Sequence, residues 1–417
     1  MVIVILCVYL MVTAVGYWLR WLNYAHQKTY GHIVPPEFEG TIDPSVLGNM
    51  SAYTAENNRV AIIESVIDNV VVVLFLFAGM LAVYDRWILS LSPSFILNGI
   101  LFLLILAYAQ ALIAIPFSLY QHFTIENRYG FNTMTFRLWI TDLLKSFAIS
   151  LILGSIVILA ALSIVQASPE LWWLWVWVFL LCFGFFMMFI SPYVIEPLFF
   201  KVEPVRAEGL EEKIRQLMEK AGLKVSRVFQ MDASRRSRHS NAYFTGIGKV
   251  KRIVLFDTLI EQMTHEEILA VLAHEVGHWK KRHVLKRLVL SEVMAFCGLY
   301  LAYFLLQRED LPALLGYSGL SFYARFMIVG FLGSLLMFPL TPLFSALSRK
   351  DEREADDFAA ELTGHPENMA SALVKLSREN LSNLHPHPWY AAFYYSHPPM
   401  VERIKMLRSW ESGKSGN

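Results

Sequence analysis

The sequence is poor in charged residues and in cysteine. Asp, Glu, Lys and Arg make up 17% of its 417 residues, whereas about 25% is usual in soluble domains. The net charge of +1 indicates neither a nucleic-acid partner nor an acidic one. The three cysteines, Cys7, Cys182 and Cys297, lie in apolar stretches and form no Cys-x-x-Cys pair. These features argue against a disulfide framework and a cysteine zinc site, and we expect buried, unpaired thiols.

The chain contains several long segments with few or no charged residues. Hydrophobic residues make up 55% of the chain, and a membrane-spanning helix needs about 20 apolar residues. No basic residue precedes the first apolar segment and no small-residue cleavage site ends it, so we interpret it as a retained helix rather than a signal peptide. We predict seven spans, at residues 2–19, 60–84, 96–118, 146–169, 171–195, 288–307 and 326–348.

The distribution of basic residues between the loops predicts the orientation of these spans. Seven spans place the two termini on opposite faces of the membrane. Only Arg86, Arg308 and Arg325 lie on one face, which leaves 33 of the 36 Lys and Arg residues on the other. Because cytoplasmic loops are rich in Lys and Arg, we expect an outside N-terminus and a cytoplasmic C-terminus. The membrane would be a bacterial inner membrane or the endoplasmic reticulum.

The predicted fold is mainly α, with seven transmembrane helices and a small α+β domain. We expect helices one to five and their loops in 1–200, the cytoplasmic α+β domain in 201–287, helices six and seven in 288–348, and a cytoplasmic helical tail in 349–417. Within the α+β domain we predict an amphipathic helix over 208–221, strands at 225–231, 241–245 and 252–255, and a helix that begins with the capping box of Thr264 and Glu267.

The strongest chemical signal is the segment His274-Glu275-Val276-Gly277-His278. Residues i and i+4 share one face of a helix, so His274 and His278 can bind one zinc ion while Glu275 acts on a water molecule beside it. A charged surface helix is the alternative. It fits poorly, because the flanking residues are largely apolar and burying these polar side chains without a partner would be costly.

A catalytic zinc ion needs a third protein ligand. Past the last predicted span, Ser348 can cap a new helix on which Glu352 and Asp356 share a face. Glu352 is a candidate ligand, and Asp356 could accept the outer N–H of a ligand histidine. Spacing alone does not separate Glu352 from Glu354, and a solvated run of charges is a further alternative.

These motifs together resemble the type I CAAX prenyl endoproteases, which are integral-membrane zinc metalloproteases of the gluzincin kind. The resemblance covers most of the chain and also includes Gly130-Phe-Asn132, Asp142-Leu-Leu-Lys145, Ser240-Asn-Ala-Tyr-Phe-Thr-Gly246, Asn380-Leu-Ser-Asn-Leu-His-Pro-His-Pro388 and Tyr395-Ser-His-Pro-Pro-Met-Val-Glu-Arg403. It implies seven helices that enclose an intramembrane chamber, with one zinc ion per chain held by His274, His278 and Glu352.

The resemblance also implies roles around the metal. Asn241, Ala242 and Tyr243 would form an edge strand to which the substrate adds as a further strand, with an ordinary strand as the alternative. His397 would stabilise the oxyanion, with a histidine packed in a loop as the alternative. Arg403 would bind a substrate carboxylate or pair with a nearby acid, and both possibilities stay open. We expect the remaining histidines, including His265, His283, His385 and His387, not to be ligands.

Three acidic residues, Glu64, Asp68 and Glu292, lie within predicted spans. They would either line the chamber or, at the span ends, reach the lipid headgroups.

The function expected is therefore hydrolysis of a peptide or prenylated protein within a lipid bilayer, without nucleic acid and with no prediction of oligomeric state. A membrane quality-control zinc protease with broader substrates is the alternative. A transporter with a structural zinc ion is less consistent, because such a site needs a fourth protein ligand and leaves Glu275 without a role.

Overall fold

The computed structural model describes residues 1–245 and 250–414. Within them, seven helices are long and apolar enough to cross a membrane. Five lie before residue 200: α1 (Val2–Tyr30), α2 (Pro44–Phe77), α4 (Phe95–Tyr120, extended by a π-helical turn over Gln121–Glu126), α5 (Phe136–Ala167) and α6 (Trp172–Val194). The other two are α11 (His283–Leu306) and α12 (Phe322–Met337), the latter continuing through a 3-10 turn into α13 (Thr341–Thr363). The predicted mainly helical fold is confirmed.

The predicted boundaries of the second span are wrong. Helix α2 begins at Pro44, because Asp43 accepts hydrogen bonds from the N–H groups of Ser45 and Val46 and so caps it. It ends at Phe77 rather than at residue 84. Gly79 takes a positive φ of 89°, which L-residues avoid, and the chain restarts there as the separate helix α3 (Met80–Leu91).

The predicted helix start at Ser348 is also wrong. Helix α13 already begins at Thr341, with Pro342 in its first turn, so Ser348 lies in the helix interior. The break in the helix falls earlier, at the 3-10 turn over Phe338–Leu340, which contains Pro339. Glu352 is therefore carried by a rigid helix that leads directly away from the last membrane-length helix.

A four-stranded sheet is present in the described part of residues 200–260. Its order is β1 (Val202–Pro204), β2 (Lys224–Met231), β4 (Val250–Phe256) and β3 (Ala242–Thr245). The short strand β1 is not foreseen in the sequence, whereas the other three lie close to their predicted positions. Strand β3 pairs antiparallel with β4 and lies at the edge of the sheet formed by the described strands. Gly246, the last residue of the predicted edge-strand motif, lies outside the described residues.

Helices α8 (Leu210–Lys220), α9 (Asp257–Gln262) and α10 (His265–Lys280) pack against this sheet. The other helices of this part of the molecule are α7 (Glu196–Phe199), α14 (Pro366–Glu379), α15 (Pro388–Tyr394) and α16 (Met400–Lys414). The capping box that opens α10 is formed as predicted: Thr264 accepts from the Glu267 N–H, and Glu267 accepts from the Thr264 N–H. Apolar residues of α8, β2, β4 and α10 pack together as one core.

The three cysteines are free, but the expectation that they are buried is wrong. Cys7, Cys182 and Cys297 are exposed on the surfaces of membrane-length helices. The outward face of a membrane helix contacts lipid, which is as apolar as the protein interior. Burying a thiol between helices therefore gives little extra free energy.

Glu64, Asp68 and Glu292, the acidic residues of the predicted spans, are partly buried. Asp68 on α2 accepts a hydrogen bond of 2.8 Å from Gln110 on α4. This contact supplies Asp68 with a polar partner between two membrane-length helices.

Candidate metal centre

Helices α10 and α13 bring His274, His278 and Glu352 together. The Nε2 atoms of His274 and His278 are 3.2 Å apart. His274 Nε2 lies 3.3 Å from Glu352 Oε2, and His278 Nε2 lies 3.3 Å from Glu352 Oε1. A tetrahedral zinc site with bonds of about 2.0–2.1 Å has ligand–ligand distances of about 3.3–3.4 Å. The three side chains therefore have the spacing that one zinc ion requires.

Burial gives independent support for a cation at this point. Glu352 is 3% exposed and His274 is 6% exposed. Glu352 Oε2 is buried and makes no hydrogen bond, which is costly for a carboxylate oxygen. A cation bound between the three side chains would satisfy it. Of the two carboxylates that the sequence leaves open, Glu352 lies at the histidines, whereas Glu354 points to His283.

The outer nitrogen of His274 faces Asp356. Asp356 Oδ1 lies 2.7 Å from His274 Nδ1, as the helical spacing suggests. Although burial disfavours a charged ring, Asp356 and Glu352 raise the pKa of His274 to about 9 in the absence of a metal. Metal binding would thus displace a proton from His274.

Arg403 holds Asp356 in turn. Its guanidinium donates from Nε and an Nη to the two Asp356 oxygens, at 2.8 and 2.6 Å, and the residue is 4% exposed. The sequence left open whether Arg403 binds a substrate carboxylate or a local acid. The geometry favours the local acid, although Arg403 also reaches the wall of the cavity.

Glu275 lies in the wall of a cavity of about 590 Å³ that the histidine site opens into. Burial raises the pKa of its carboxyl. A bound divalent cation would oppose that shift. A carboxylate in this position can accept a proton from water held in the cavity.

The edge strand and His397 face the same cavity. Ser240, Asn241 and Ala242 line one wall, and Asn241 Oδ1 accepts from the Ala242 N–H at 2.8 Å. The side chain of Tyr243 instead donates to Glu196, the first residue of α7, at 2.7 Å. His397 lines the same cavity beside the candidate ligands, with Nε2 3.4 Å from Glu352 Oε1 and a side chain that is 57% exposed.

The sequence reasoning gave no role to two residues that lie near the site. His283, set aside as a non-ligand, touches the outer nitrogen of His278, and Asn380 lines the cavity. The spacing of five residues between His278 and His283 could have drawn attention to this histidine. It gives no helical face, however, because the chain turns between the two residues.

Comparisons with known proteins agree with this geometry. A family model described as "CAAX prenyl protease N-terminal, five membrane helices" matches residues 23–201. The model of peptidase family M48 matches residues 204–411. The chain belongs to the CAAX prenyl protease group of peptidase family M48. It is therefore a membrane metalloendopeptidase.

Similar proteins match over most of their length. The CAAX prenyl protease 1 homolog of Oryza sativa is 39% identical, with 72% of this chain and 71% of the relative aligned. CAAX prenyl protease 1 of Saccharomyces cerevisiae is 34% identical over 75% of this chain and 73% of its own. The crystal structure of S. mikatae Ste24p superposes with a TM-score of 0.88 at 30% identity, covering 97% of this chain and 98% of that one. The fold of a chambered, seven-helix membrane protease with a small catalytic sheet is thereby confirmed.

Proposed function

We propose that this protein uses one zinc ion per chain to cut peptide bonds near the C-terminus of prenylated, CAAX-type substrates. The observation that carries the proposal is the convergence of His274, His278 and Glu352 on one point, where a buried Glu352 oxygen has no hydrogen-bond partner. Membership of a metallopeptidase family implies a metal, and His, His and carboxylate are a common zinc ligand set.

The side chains around the ligands would divide the chemistry between them. When bound, zinc would polarise water and the scissile carbonyl and favour deprotonation of the water. Glu275 accepts that proton and returns it to the leaving amine. His397, which lines the cavity beside Glu352, donates a hydrogen bond to the oxyanion as it forms. Asp356 keeps His274 in the tautomer that presents Nε2 to the cation, and Arg403 keeps Asp356 ionised and in place.

The substrate would lie along the free edge of β3. Backbone groups of Asn241, Ala242 and Tyr243 would pair with an extended peptide beside α10. The relatives named above are CAAX prenyl proteases, which supports a prenylated C-terminal segment as substrate. A chamber enclosed by membrane helices suits a peptide that carries a lipid.

We further propose the membrane arrangement predicted from the loops. The N-terminus lies outside, and the catalytic segment 201–287 and the tail 349–417 lie in the cytoplasm. The membrane is the bacterial inner membrane or the endoplasmic reticulum, and the partners are the bilayer and the substrate, without nucleic acid.

The decisive experiment compares purified wild-type protein with Glu275→Gln on a farnesylated CAAX peptide and its unprenylated twin. Both proteins should retain zinc, and the variant should be slower by about 10² to 10⁴. The wild type should prefer the farnesylated peptide. Equal cleavage of both peptides would point instead to a broader quality-control protease. Full activity of Glu275→Gln would refute the proposed mechanism.

A further inference from the structure

His283 is a buried histidine whose two ring nitrogens both have partners. It opens helix α11 and is 1% exposed. Its Nδ1 lies 3.0 Å from Nδ1 of His278. Its Nε2 lies 3.1 Å from Glu354 Oε2 and 3.6 Å from Asp351 Oδ1, both on α13. His283 thus links three helices directly behind one candidate ligand.

The turn that delivers His283 to this position is strained. Arg282, between α10 and α11, has a φ of 59°, one of two positive values among the described non-glycine residues. A left-handed backbone conformation is unfavourable for any residue other than glycine. The turn lets the chain reverse immediately after α10, so that the first residue of α11 lies against the last turn of α10. Strain of this kind persists where the surrounding structure fixes the turn, and it is common near functional sites.

The hydrogen-bonding capacity of the two rings defines a single arrangement of protons. A neutral His278 that presents Nε2 to a cation carries its proton on Nδ1 and donates it. His283 Nδ1 must then accept, which puts the His283 proton on Nε2. That proton is donated to Glu354. Each ring nitrogen of His278 and His283 then either faces the cation or has a hydrogen-bond partner, and the last proton is donated to Glu354.

We propose that His283 is a positioning residue that holds the second ligand histidine, His278, with Nε2 toward the metal, and that Glu354 holds His283. This inference rests on the zinc site proposed above. The two ligand histidines are then fixed by different chemistry: a carboxylate contacts His274, and a neutral imidazole contacts His278. Because Glu354 and Glu352 belong to the same helix, α13 supplies both a ligand and the support of another ligand.

The test measures zinc loss from full-length, detergent-purified protein in the presence of a chelator. His283→Ala removes the acceptor, and zinc affinity should fall about 10- to 100-fold, the usual effect of losing a contact behind a ligand. His283→Asn can place an amide oxygen where Nδ1 was, so it should keep affinity within a few-fold of the wild type. His265→Asn is the matched control, because His265 also opens a helix but lies at the other end of α10.

A second readout separates positioning from packing. The cobalt-substituted proteins should show an altered visible spectrum for His283→Ala, with His283→Asn resembling the wild type. Wild-type zinc retention and an unchanged cobalt spectrum in His283→Ala would overturn the inference. So would equal zinc loss in His283→Ala and His283→Asn. A wild-type protein that holds no zinc would instead refute the proposed function from which the inference starts.

Discussion

At the scale of single residues, the site depends on a buried ion pair. The side chains of Asp356 and Arg403 are 0% and 5% exposed, and the guanidinium contacts the carboxylate through two nitrogens. A buried ion pair is tolerated only when the attraction and hydrogen bonds between the two groups offset the cost of removing both charges from water. Removing one group leaves the other charge buried without that partner. Arg403 belongs to α16, so this helix supports the site through Asp356 without supplying a metal ligand.

The first prediction concerns this pair. Arg403→Ala should lower the free energy of unfolding by about 3–5 kcal/mol, because it removes the guanidinium that contacts both oxygens of the buried Asp356. Arg408→Ala, on the same helix, removes an arginine that pairs with Glu367 at the surface, and it should cost less than about 1 kcal/mol. Thermal unfolding in detergent, followed by tryptophan fluorescence, measures both. Similar shifts for the two variants would contradict this account.

The roles of the candidate site residues could be predicted from the sequence wherever they follow from spacing along one helix. His274 and His278 share a helical face whatever surrounds them, and so do Glu352 and Asp356. The choice between Glu352 and Glu354 depends instead on how α13 is rotated against α10, which is a tertiary property. For the same reason the sequence does not predict which residue pairs with Arg403, because α16 and α13 are remote from each other along the chain.

At the scale of elements, the approach of α10 to α13 sets the position of Glu352. A Cβ built on Gly277 would lie 2.9 Å from Cα and 3.0 Å from the carbonyl oxygen of Ala355. Backbone atoms cannot move aside as a flexible side chain can. The glycine between Glu275 and His278 is therefore required by helix packing.

The second prediction follows from this contact. Gly277→Ala should push α13 away from α10, lower stability by about 1–3 kcal/mol, and reduce zinc affinity by displacing Glu352. Gly298→Ala, in α11, meets no atom within 4 Å and should be neutral or slightly stabilising. Unfolding temperature and zinc content report on both variants. An unchanged zinc affinity in Gly277→Ala would show that the helix spacing does not control the ligand.

A second inter-element contact joins the membrane helices to the edge of the cavity. His239 Nε2 lies 3.2 Å from Glu126 Oε2 at the end of α4, and Nδ1 lies 2.8 Å from Asn380 Oδ1. Phe131 stacks on the same ring at 4.3 Å. Burial disfavours the charged ring, but the hydrogen bonds to Glu126 and Asn380 outweigh it and raise the pKa of His239.

The third prediction uses the sign of that shift. A raised pKa means that protonated His239 stabilises the fold fully below its unfolded value of about 6.5, and that this stabilisation is lost as pH rises through the folded value. His239→Gln should therefore lower the unfolding temperature more at pH 6 than at pH 9. With 38% of the side chain exposed, the effect should stay below about 1 kcal/mol. A difference that grows toward pH 9 would contradict this assignment.

At the scale of the whole molecule, apolar length predicted the number of membrane helices but not their ends. The spans are predicted from runs of mostly apolar residues, whereas α2 and α13 continue as helices beyond the apolar region into polar sequence. Composition also gives no sign of the break at Gly79, because the residues on both sides are equally apolar. The sheet was predicted in part, and β1 was missed since three residues carry too little periodicity.

The fourth prediction tests the proposed orientation. The three native cysteines are replaced by alanine, and single cysteines are introduced as Glu309→Cys or Lys405→Cys, at exposed positions on opposite predicted faces. If the N-terminus is outside, a membrane-impermeant maleimide applied to the outer face should label only Glu309→Cys. Detergent should make both accessible. Labelling of Lys405→Cys alone before detergent is added would contradict the proposed orientation and indicate the opposite one.

The central claim is that His274, His278 and Glu352 hold one catalytic zinc ion, and metal analysis of the purified full-length protein tests it most directly. We predict about one zinc per wild-type chain, a clear loss in Glu352→Ala after mild chelation, and retention in Glu361→Ala, an exposed carboxylate on the same helix. A wild-type protein without zinc, or a Glu352→Ala variant that keeps it as firmly as the wild type, would contradict the account.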